Sequence, residues 1–242
     1  MNYMYLKSGT DVRGTALETP EDGPVQLTDD AVADIARAFL VWCERHMDIP
    51  ANQLKLAVGR DSRLSGPRIA AALKEALLPC GVTCYDCGLA STPSMFMAVL
   101  DIPCDCAIQI TASHHPFHRN GLKFFTKDGG LDSPDLTELL SLAEEGSCPR
   151  RSPGGSWQES DHMERYAAHL RELIEKGVNA PDYHRPLSGF HITVDAGNGA
   201  GGFYAEKVLA PLGADISGSR FLEPDGRFPN HIPNPENEEA MG

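Results

Sequence analysis

The sequence predicts an α/β fold in which helices cover both faces of a mixed, mostly parallel sheet, and three observations predict it. Short apolar runs alternate with longer stretches whose apolar residues recur at helical spacing. Glycine and proline residues separate these runs. Polar motifs follow the ends of several apolar runs, where α/β proteins bind their ligands. A partial second α/β unit of similar type follows the first.

The first helix is predicted to begin after Thr28, because threonine is a favoured N-cap residue. Asp29 and Asp30 suit the positive end of the helix dipole. The apolar residues that follow fall on one helical stripe: Val32, Ile35, Ala36, Phe39, Leu40 and Cys43.

The rest of the first unit continues this alternation. Strands are predicted over residues 54–58, 82–87, 106–110 and 121–126, and helices start at Gly66-Pro67, span 92–100 and start at Ser133-Pro134. The strand over 121–126 follows its predecessor too closely for a helical crossover, which favours an antiparallel pairing.

A segment rich in serine, glycine, proline and arginine, residues 146–156, is interpreted as a linker. We therefore assign residues 1–150 to a first domain and residues 151–242 to a partial second domain. The second domain is predicted to contain a helix near 157–176, a strand over 191–195, a glycine-rich turn, a helix over about 202–209 and a strand over 214–217. Residues 234–242 resemble the start of a helix, so we expect the chain to stop within this domain.

The composition limits the classes of partner. The formal net charge of −13 argues against binding to nucleic acid or to an anionic membrane, although a local arginine cluster can still bind phosphate. No apolar run reaches the length of a transmembrane helix, and the N-terminal segment lacks the apolar stretch of a signal peptide. Seven cysteines without such a signal fit reduced thiols, so we expect a cytoplasmic protein.

Two cysteine groups raise the alternative of structural zinc: Cys80, Cys84 and Cys87, and Cys104 with Cys106. Zinc sites favour paired ligands with a turn between them, whereas several of these cysteines fall in predicted strands. Small buried cysteines are therefore the favoured interpretation. A metal site formed by His114, His115 and His118 is disfavoured as well. Pro116 prevents the helix that would place two of these histidines on one face.

Ser113 follows the apolar run over residues 106–110, and His114 comes directly after it. Lys123 lies ten positions after Ser113. A hydroxyl at a strand end, flanked by proton-transfer groups, is how an α/β protein presents a nucleophile or a phosphate carrier. The alternative is a polar loop with a Ser-His turn.

Five motifs occur in order: residues 8–14 (SGTDVRG), 58–66 (VGRDSRLSG), 111–123 (TASHHPFHRNGLK), 194–201 (VDAGNGAG) and 223–231 (EPDGRFPNH), the last running into Pro233-Asn234-Pro235. In this order and spacing they resemble the α-D-phosphohexomutase superfamily over nearly the whole chain. The nearest resemblance is to bacterial phosphomannomutase/phosphoglucomutase enzymes. His115 departs from the family, which usually has Asn in a Ser-His-Asn-Pro run.

This resemblance implies that Ser113 carries a phosphoryl group and binds Mg²⁺ through that phosphate, with three aspartates of a loop outside this chain. A hexose 1,6-bisphosphate would be the activator. The resemblance places Lys123 and Arg13 near the reacting hydroxyl, with Lys123 as the general base. His114 is the competing proton-transfer group.

Four further residues are predicted to bind substrate or phosphate: Arg60, Arg63, His115 and Asn120. Arg60 and Arg63 flank Asp61 after a predicted strand, where anions often bind. They could instead form ion pairs with Asp61, and we expect a structural role for at least one of them.

The function implied is interconversion of hexose 1-phosphate and hexose 6-phosphate, of mannose or glucose, through a bisphosphorylated intermediate. The implied partners are the phosphosugar and the C-terminal domains of the same protein, and a homodimer is left open. One alternative is a nucleotide-binding domain using residues 197–202, although Gly201 and Gly202 adjoin and break the G-x-G-x-x-G register. The other is a non-catalytic sugar-phosphate-binding fragment.

Overall fold

The computed structural model describes residues 2–20 and 23–234. Its main feature is an eight-stranded sheet. The strand order is β1 (Lys7–Ser8), β2 (Asp11–Thr15), β6 (Arg119–Thr126), β5 (Cys106–Ile110), β3 (Lys55–Arg60), β4 (Thr83–Leu89) and β8 (Ser156–Glu159), with β7 (Gly129–Gly130) paired to β6. The pairings leave β1 and β6 running against the other strands, so the predicted mixed and mostly parallel sheet is confirmed.

Within these described ranges, five α-helices accompany the sheet: α1 (Asp29–Met47), α2 (Gly66–Leu77), α3 (Thr92–Asp101), α4 (Ser133–Glu144) and α5 (His162–Val178). Thr28 caps α1 as predicted, because its side chain accepts a hydrogen bond from the Ala31 amide at 3.2 Å. The predicted antiparallel pairing of β5 with β6 is also confirmed.

Two apolar layers hold the helices on opposite faces of the sheet. Leu56 and Val58 of β3 belong to the layer shared with α1, α2 and α4, whereas Ala57 belongs to the layer shared with α3. Successive residues of a strand point to opposite faces. Because both faces are covered, the central strands β3 and β5 are mostly apolar instead of alternating with polar residues, and the polar Gln109 of β5 is itself fully buried.

The helix predicted near 157–176 begins later than expected. Trp157 lies in β8, which pairs in parallel with β4, and its indole N–H donates to Asp86 Oδ2 at 2.9 Å. The strand pairing and this side-chain contact outweigh the local preference for helix, so α5 starts only at His162. The sheet of the first unit therefore extends beyond the predicted boundary at residue 150.

The second unit has little regular structure. The strands predicted over 191–195 and 214–217 are wrong as regular strands, since among the described residues these segments form only the isolated bridges His191–Asp215 and Asp195–Arg220. The helix predicted over 202–209 is a π-helical turn, Tyr204–Leu209. The apolar cluster of this unit buries Ala167, Val208 and Leu212, and partly buried residues such as Leu170 and Phe203 pack against them. The helix start predicted beyond Asn234 lies outside the described residues.

The cysteines of the described residues are free thiols, six of them buried and Cys148 exposed, as the favoured interpretation predicted. Burial raises the pKa of the Cys84 and Cys87 thiols to about 12, so they remain protonated. Over residues 2–20 and 23–234, none of the helices has the length and apolar character needed to cross a membrane.

Candidate active site

Ser113 stands in the loop that leaves the carboxyl end of β5, with its side chain exposed. Its backbone has a φ of +55°, a conformation that non-glycine residues adopt at a cost of about 1–3 kcal/mol. Its amide donates to Thr111 Oγ1 at 2.9 Å, and the Thr111 hydroxyl donates to Asp61 Oδ2 at 2.7 Å. The fold thus holds a strained serine at a fixed place at the end of the sheet.

Arg63 is fully buried and ties this loop together. All five of its N–H donors are used. They donate to Asp61 Oδ2 at 3.1 Å and to the carbonyl oxygens of Ser113 at 2.8 Å, His115 at 2.7 Å, Pro116 at 2.6 Å and Arg119 at 3.0 Å. Burial raises the pKa of Asp61, and the neighbouring guanidinium and the Thr111 hydroxyl counteract this shift.

The predicted phosphate-binding role is therefore not supported for Arg63, because no N–H of its guanidinium is left for a ligand. The predicted binding role is not supported for Asn120 either, because its side chain is bonded to protein groups. It is fully buried, its amide group donates to Ser65 Oγ at 2.9 Å, and its oxygen accepts from the Gly121 amide at 2.9 Å. Both residues shape the loop that carries Ser113.

Arg60 keeps the properties of a phosphate-binding residue. It is half-buried at the end of β3, and no ion pair or side-chain hydrogen bond joins its guanidinium to the described residues. Of the two arginines that flank Asp61, one is structural and one remains available for a ligand.

A triad of charged residues lies on the neighbouring strands β2 and β6. Asp11 is buried, with Oδ2 2.8 Å from Arg13 Nη2 and Oδ1 2.6 Å from Lys123 Nζ. Arg13 Nη1 also donates to the Ala112 carbonyl at 2.9 Å, next to Ser113. The structure thus brings Arg13 and Lys123 together beside the loop of residues 111–119 that carries Ser113, which we call the serine loop.

Sequence reasoning missed Asp11, although a signal was present. Asp11 and Arg13 stand two positions apart in a strand, which places both side chains on one face of the sheet. Arg119 was also missed. Its Nε is buried without a hydrogen-bond partner within the described residues, and its charge contributes to the lowered pKa of the neighbouring His115.

The two predicted histidines follow Ser113 directly. The His114 ring is 5.0 Å from the His115 ring, and His114 is exposed. Burial and the nearby cations Arg13 and Arg119 lower the pKa of His115 to about 4. His115 is therefore neutral at physiological pH, and its ring adds no charge to the cationic surroundings of the loop.

A cavity of about 450 Å³ opens between the two units next to Ser113. The first unit lines it with Asp61, Ser62, Gln109, Thr111 and Ser113, and the second with Gly197, Phe228, Asp195 and His231 among others. His231 Nε2 lies 3.1 Å from Asp195 Oδ1. The Ile232 carbonyl and Asp195 raise the pKa of His231.

Two glycines of the turn considered for nucleotide binding are closely packed against other protein groups. A Cβ at Gly202 would lie 2.1 Å from the Leu222 carbonyl oxygen, and one at Gly197 would lie 2.8 Å from His231 Cε1. Asn198 also bonds to Glu223 and Asn230 through its side chain. The turn leads into a short π-helical turn, Tyr204–Leu209, and not into the α-helix N-terminus that a nucleotide fingerprint places at the phosphates.

Comparison with known proteins agrees with this geometry. The family profile "Phosphoglucomutase/phosphomannomutase, alpha/beta/alpha domain I" matches residues 6–145, and the domain II profile matches residues 164–242. The phosphoglucomutase of Neisseria gonorrhoeae is 31% identical over 231 residues, covering 96% of this chain and 45% of that protein. The phosphoglucosamine mutase of Pediococcus pentosaceus is 34% identical over 225 residues, covering 90% of this chain and 46% of that protein.

The crystal structure of a phosphoglucomutase/phosphomannomutase family protein from Burkholderia thailandensis superimposes with a TM-score of 0.78 at 26% identity, covering 100% of this chain and 49% of that one. The chain therefore spans about half the length of the proteins that it matches.

Proposed function

The chain belongs to the phosphoglucomutase/phosphomannomutase family, and on that premise we propose that it supplies domains I and II of a phosphohexose mutase. The reaction is reversible transfer of a phosphoryl group between the C1 and C6 oxygens of mannose or glucose phosphates. The observation that carries this proposal is Ser113 itself. It is an exposed serine with a left-handed backbone at a strand end, fixed by Thr111 and Arg63. Arg13 contacts the adjoining Ala112 carbonyl and shares Asp11 with Lys123.

In the proposed reaction a sugar hydroxyl oxygen bonds to the phosphorus on Ser113, and the bond from phosphorus to Ser113 Oγ breaks. The hydroxyl gives its proton to a base, and Oγ takes up a proton. The sugar then reorients, and Ser113 recovers the other phosphate by the reverse steps. The phosphoryl group bears about −1.5 to −2 charges at neutral pH. Arg13 and Lys123 beside the serine loop, and Arg119 at its end, are cations that can balance this charge from within the chain.

Lys123 is the proposed proton-transfer residue, as the family resemblance implies, and its contact with Asp11 fixes the amine at the edge of the serine loop. A positioned acid or base contributes about 10²–10⁴-fold to a rate. His114 remains the competing candidate, because it adjoins Ser113 and is accessible to solvent.

Magnesium, which the family implies, does not fit a complete site among the described residues. Asp11 is held by two cations, and both oxygens of Asp61 accept bonds from Arg63 or Thr111. Within residues 2–20 and 23–234 no group of three acidic, histidine or cysteine side chains could hold the ion. The octahedral oxygen shell that magnesium prefers would therefore need ligands other than these.

The proposal is tested by incubating the complete protein with glucose 1,6-bisphosphate and locating any phosphoryl adduct by peptide mass spectrometry. We expect the adduct on Ser113 and none in the Ser113→Ala variant. Sugar-phosphate binding without an adduct would contradict the mutase and favour the non-catalytic alternative. Selective binding of ATP or NAD would contradict both and favour the nucleotide-binding alternative. A cytoplasmic location and activation by hexose 1,6-bisphosphate are part of the same proposal.

A further inference from the structure

The second unit touches the first at the arginine that organises the serine loop. Gly226 is buried against the backbone of residues 62–64, where an added Cβ would lie 2.3 Å from the Ser62 carbonyl oxygen and 2.7 Å from Arg63 Cα. The ring of Phe228 lies over the Arg63 guanidinium, with 5.2 Å between Cζ and the ring centroid. Only a residue without a side chain permits this approach of the two backbones.

The segment that makes this contact is itself held in a fixed shape. Phe228 has a φ of +52°, and its amide donates to the Asp225 carbonyl at 3.0 Å. The Asp225 amide in turn donates to the Asn198 carbonyl at 2.9 Å. The ring is therefore placed over Arg63 by the glycine-rich turn of the second unit, and it also lines the cavity beside Ser113.

The chemistry of Arg63 makes this contact consequential. Four of its five donors hold carbonyl oxygens of the serine loop and the fifth holds Asp61, so the plane of the guanidinium sets the shape of that loop. An aromatic ring over the guanidinium attracts the charge and shields the hydrogen bonds from water. Movement of the ring would let the Arg63 guanidinium change its orientation, and the serine loop would lose order with it.

We propose that Phe228 and Gly226 are positioning residues, through which docking of the second unit fixes the geometry of Ser113 by way of Arg63. The role of Ser113 as phosphoryl carrier rests on the proposed function, whereas the coupling between the two units does not. The serine loop is then fully ordered only while residues 225–228 lie against residues 62–64.

Three amide groups report on the loop directly. The amides of Ser113, His115 and Arg119 donate to Thr111 Oγ1, the Ala112 carbonyl and the Pro116 carbonyl. Residue-resolved hydrogen exchange, measured by NMR on the 242-residue chain, should show these three amides exchanging about fivefold to thirtyfold faster in Phe228→Leu, the range expected for loss of a partly desolvated cation–π contact. Phe228→Tyr keeps the ring and should restore slow exchange.

Phe190→Leu is the matched control, because Phe190 belongs to the same unit and is 59% exposed. It should leave the three amides unchanged, and amides in β3 and β5 should be unchanged in every variant. Gly226→Ala should accelerate the same three amides as Phe228→Leu. The proposal is overturned if Phe228→Leu affects the loop no more than Phe190→Leu does, or if amides of β3 and β5 accelerate equally, since that would mark a general loss of stability. The Ser113 phosphoryl adduct is measured in a separate experiment. The exchange rates therefore test the coupling between the two units even if no adduct forms.

Discussion

The two units of the chain differ in how they are stabilised. The first packs helices against both faces of an eight-stranded sheet and buries most of the apolar side chains. Up to Asn234, the second rests on α5, a π-helical turn and two isolated bridges, with a small apolar cluster around Ala167, Val208 and Leu212. Yet the cavity beside Ser113 is lined by both. The difference teaches that the residues proposed to carry the chemistry lie on the extensively packed first unit, whereas the second unit supplies one wall of the cavity.

The largest effect that would test this division comes from Ser113. Ser113→Ala should reduce mutase turnover by about 10⁴-fold or more, the scale on which loss of a catalytic nucleophile acts. Ser113→Gly should be equally inactive, although glycine adopts the positive φ without strain. Steady-state kinetics and circular dichroism of the complete protein would check this. Wild-type turnover in either variant, with the bisphosphate activator supplied, would place the carrier elsewhere.

The next effect should come from Lys123→Met, which keeps the length of the side chain but removes its amine. We expect turnover to fall by about 10²–10⁴-fold with a smaller change in the Michaelis constant, because a proton-transfer group acts in the chemical step. The measurement is kcat and KM for the complete protein. A change confined to KM would make Lys123 a binding residue and His114 the preferred base.

Arg63 and Arg60 form a matched pair for stability. Arg63→Met should lower the free energy of unfolding by about 3–5 kcal/mol, because it breaks a buried ion pair and leaves Asp61 and four loop carbonyls without their donor. Arg60→Met, at a position with no partner in the described residues, should change it by less than about 0.5 kcal/mol. Urea unfolding of both variants would show this difference. An equal loss of unfolding free energy in the two variants would mean that the hydrogen bonds of Arg63 do not stabilise the loop.

The sequence predicted the first unit well because its signals are local. Thr28 as a cap, the apolar run of β5 and the short connection to β6 each act through neighbouring residues. The role of Arg63 could not be predicted in this way, since its acceptors are carbonyl groups that any residue provides and they come together only in the folded loop. Trp157 was misassigned for a related reason, because pairing with β4 decides its conformation.

The smallest effect concerns two histidines, one in each unit, that should respond to pH in opposite directions. The pKa of His115 is lowered to about 4, so the unfolded chain binds its proton first and stability falls as the pH drops from about 6.5 towards 4. The pKa of His231 is raised, so its contribution is present below about 6.5 and is lost as the pH rises through the folded-state pKa.

Thermal unfolding across this pH range would test the pair. His115→Asn should reduce the loss of stability at acid pH, whereas His231→Asn should reduce the gain made by protonation of the second unit. The same pH dependence in both variants as in the unmodified chain would contradict the assigned environments.

The central claim is that Ser113 exchanges its phosphoryl group with a sugar phosphate. The direct measurement is ³¹P NMR of the phosphorylated complete protein before and after addition of glucose 6-phosphate. We predict that the phosphoserine signal disappears and that an equal amount of glucose 1,6-bisphosphate appears. A phosphoserine signal that persists, or that is replaced by inorganic phosphate alone, would contradict the account.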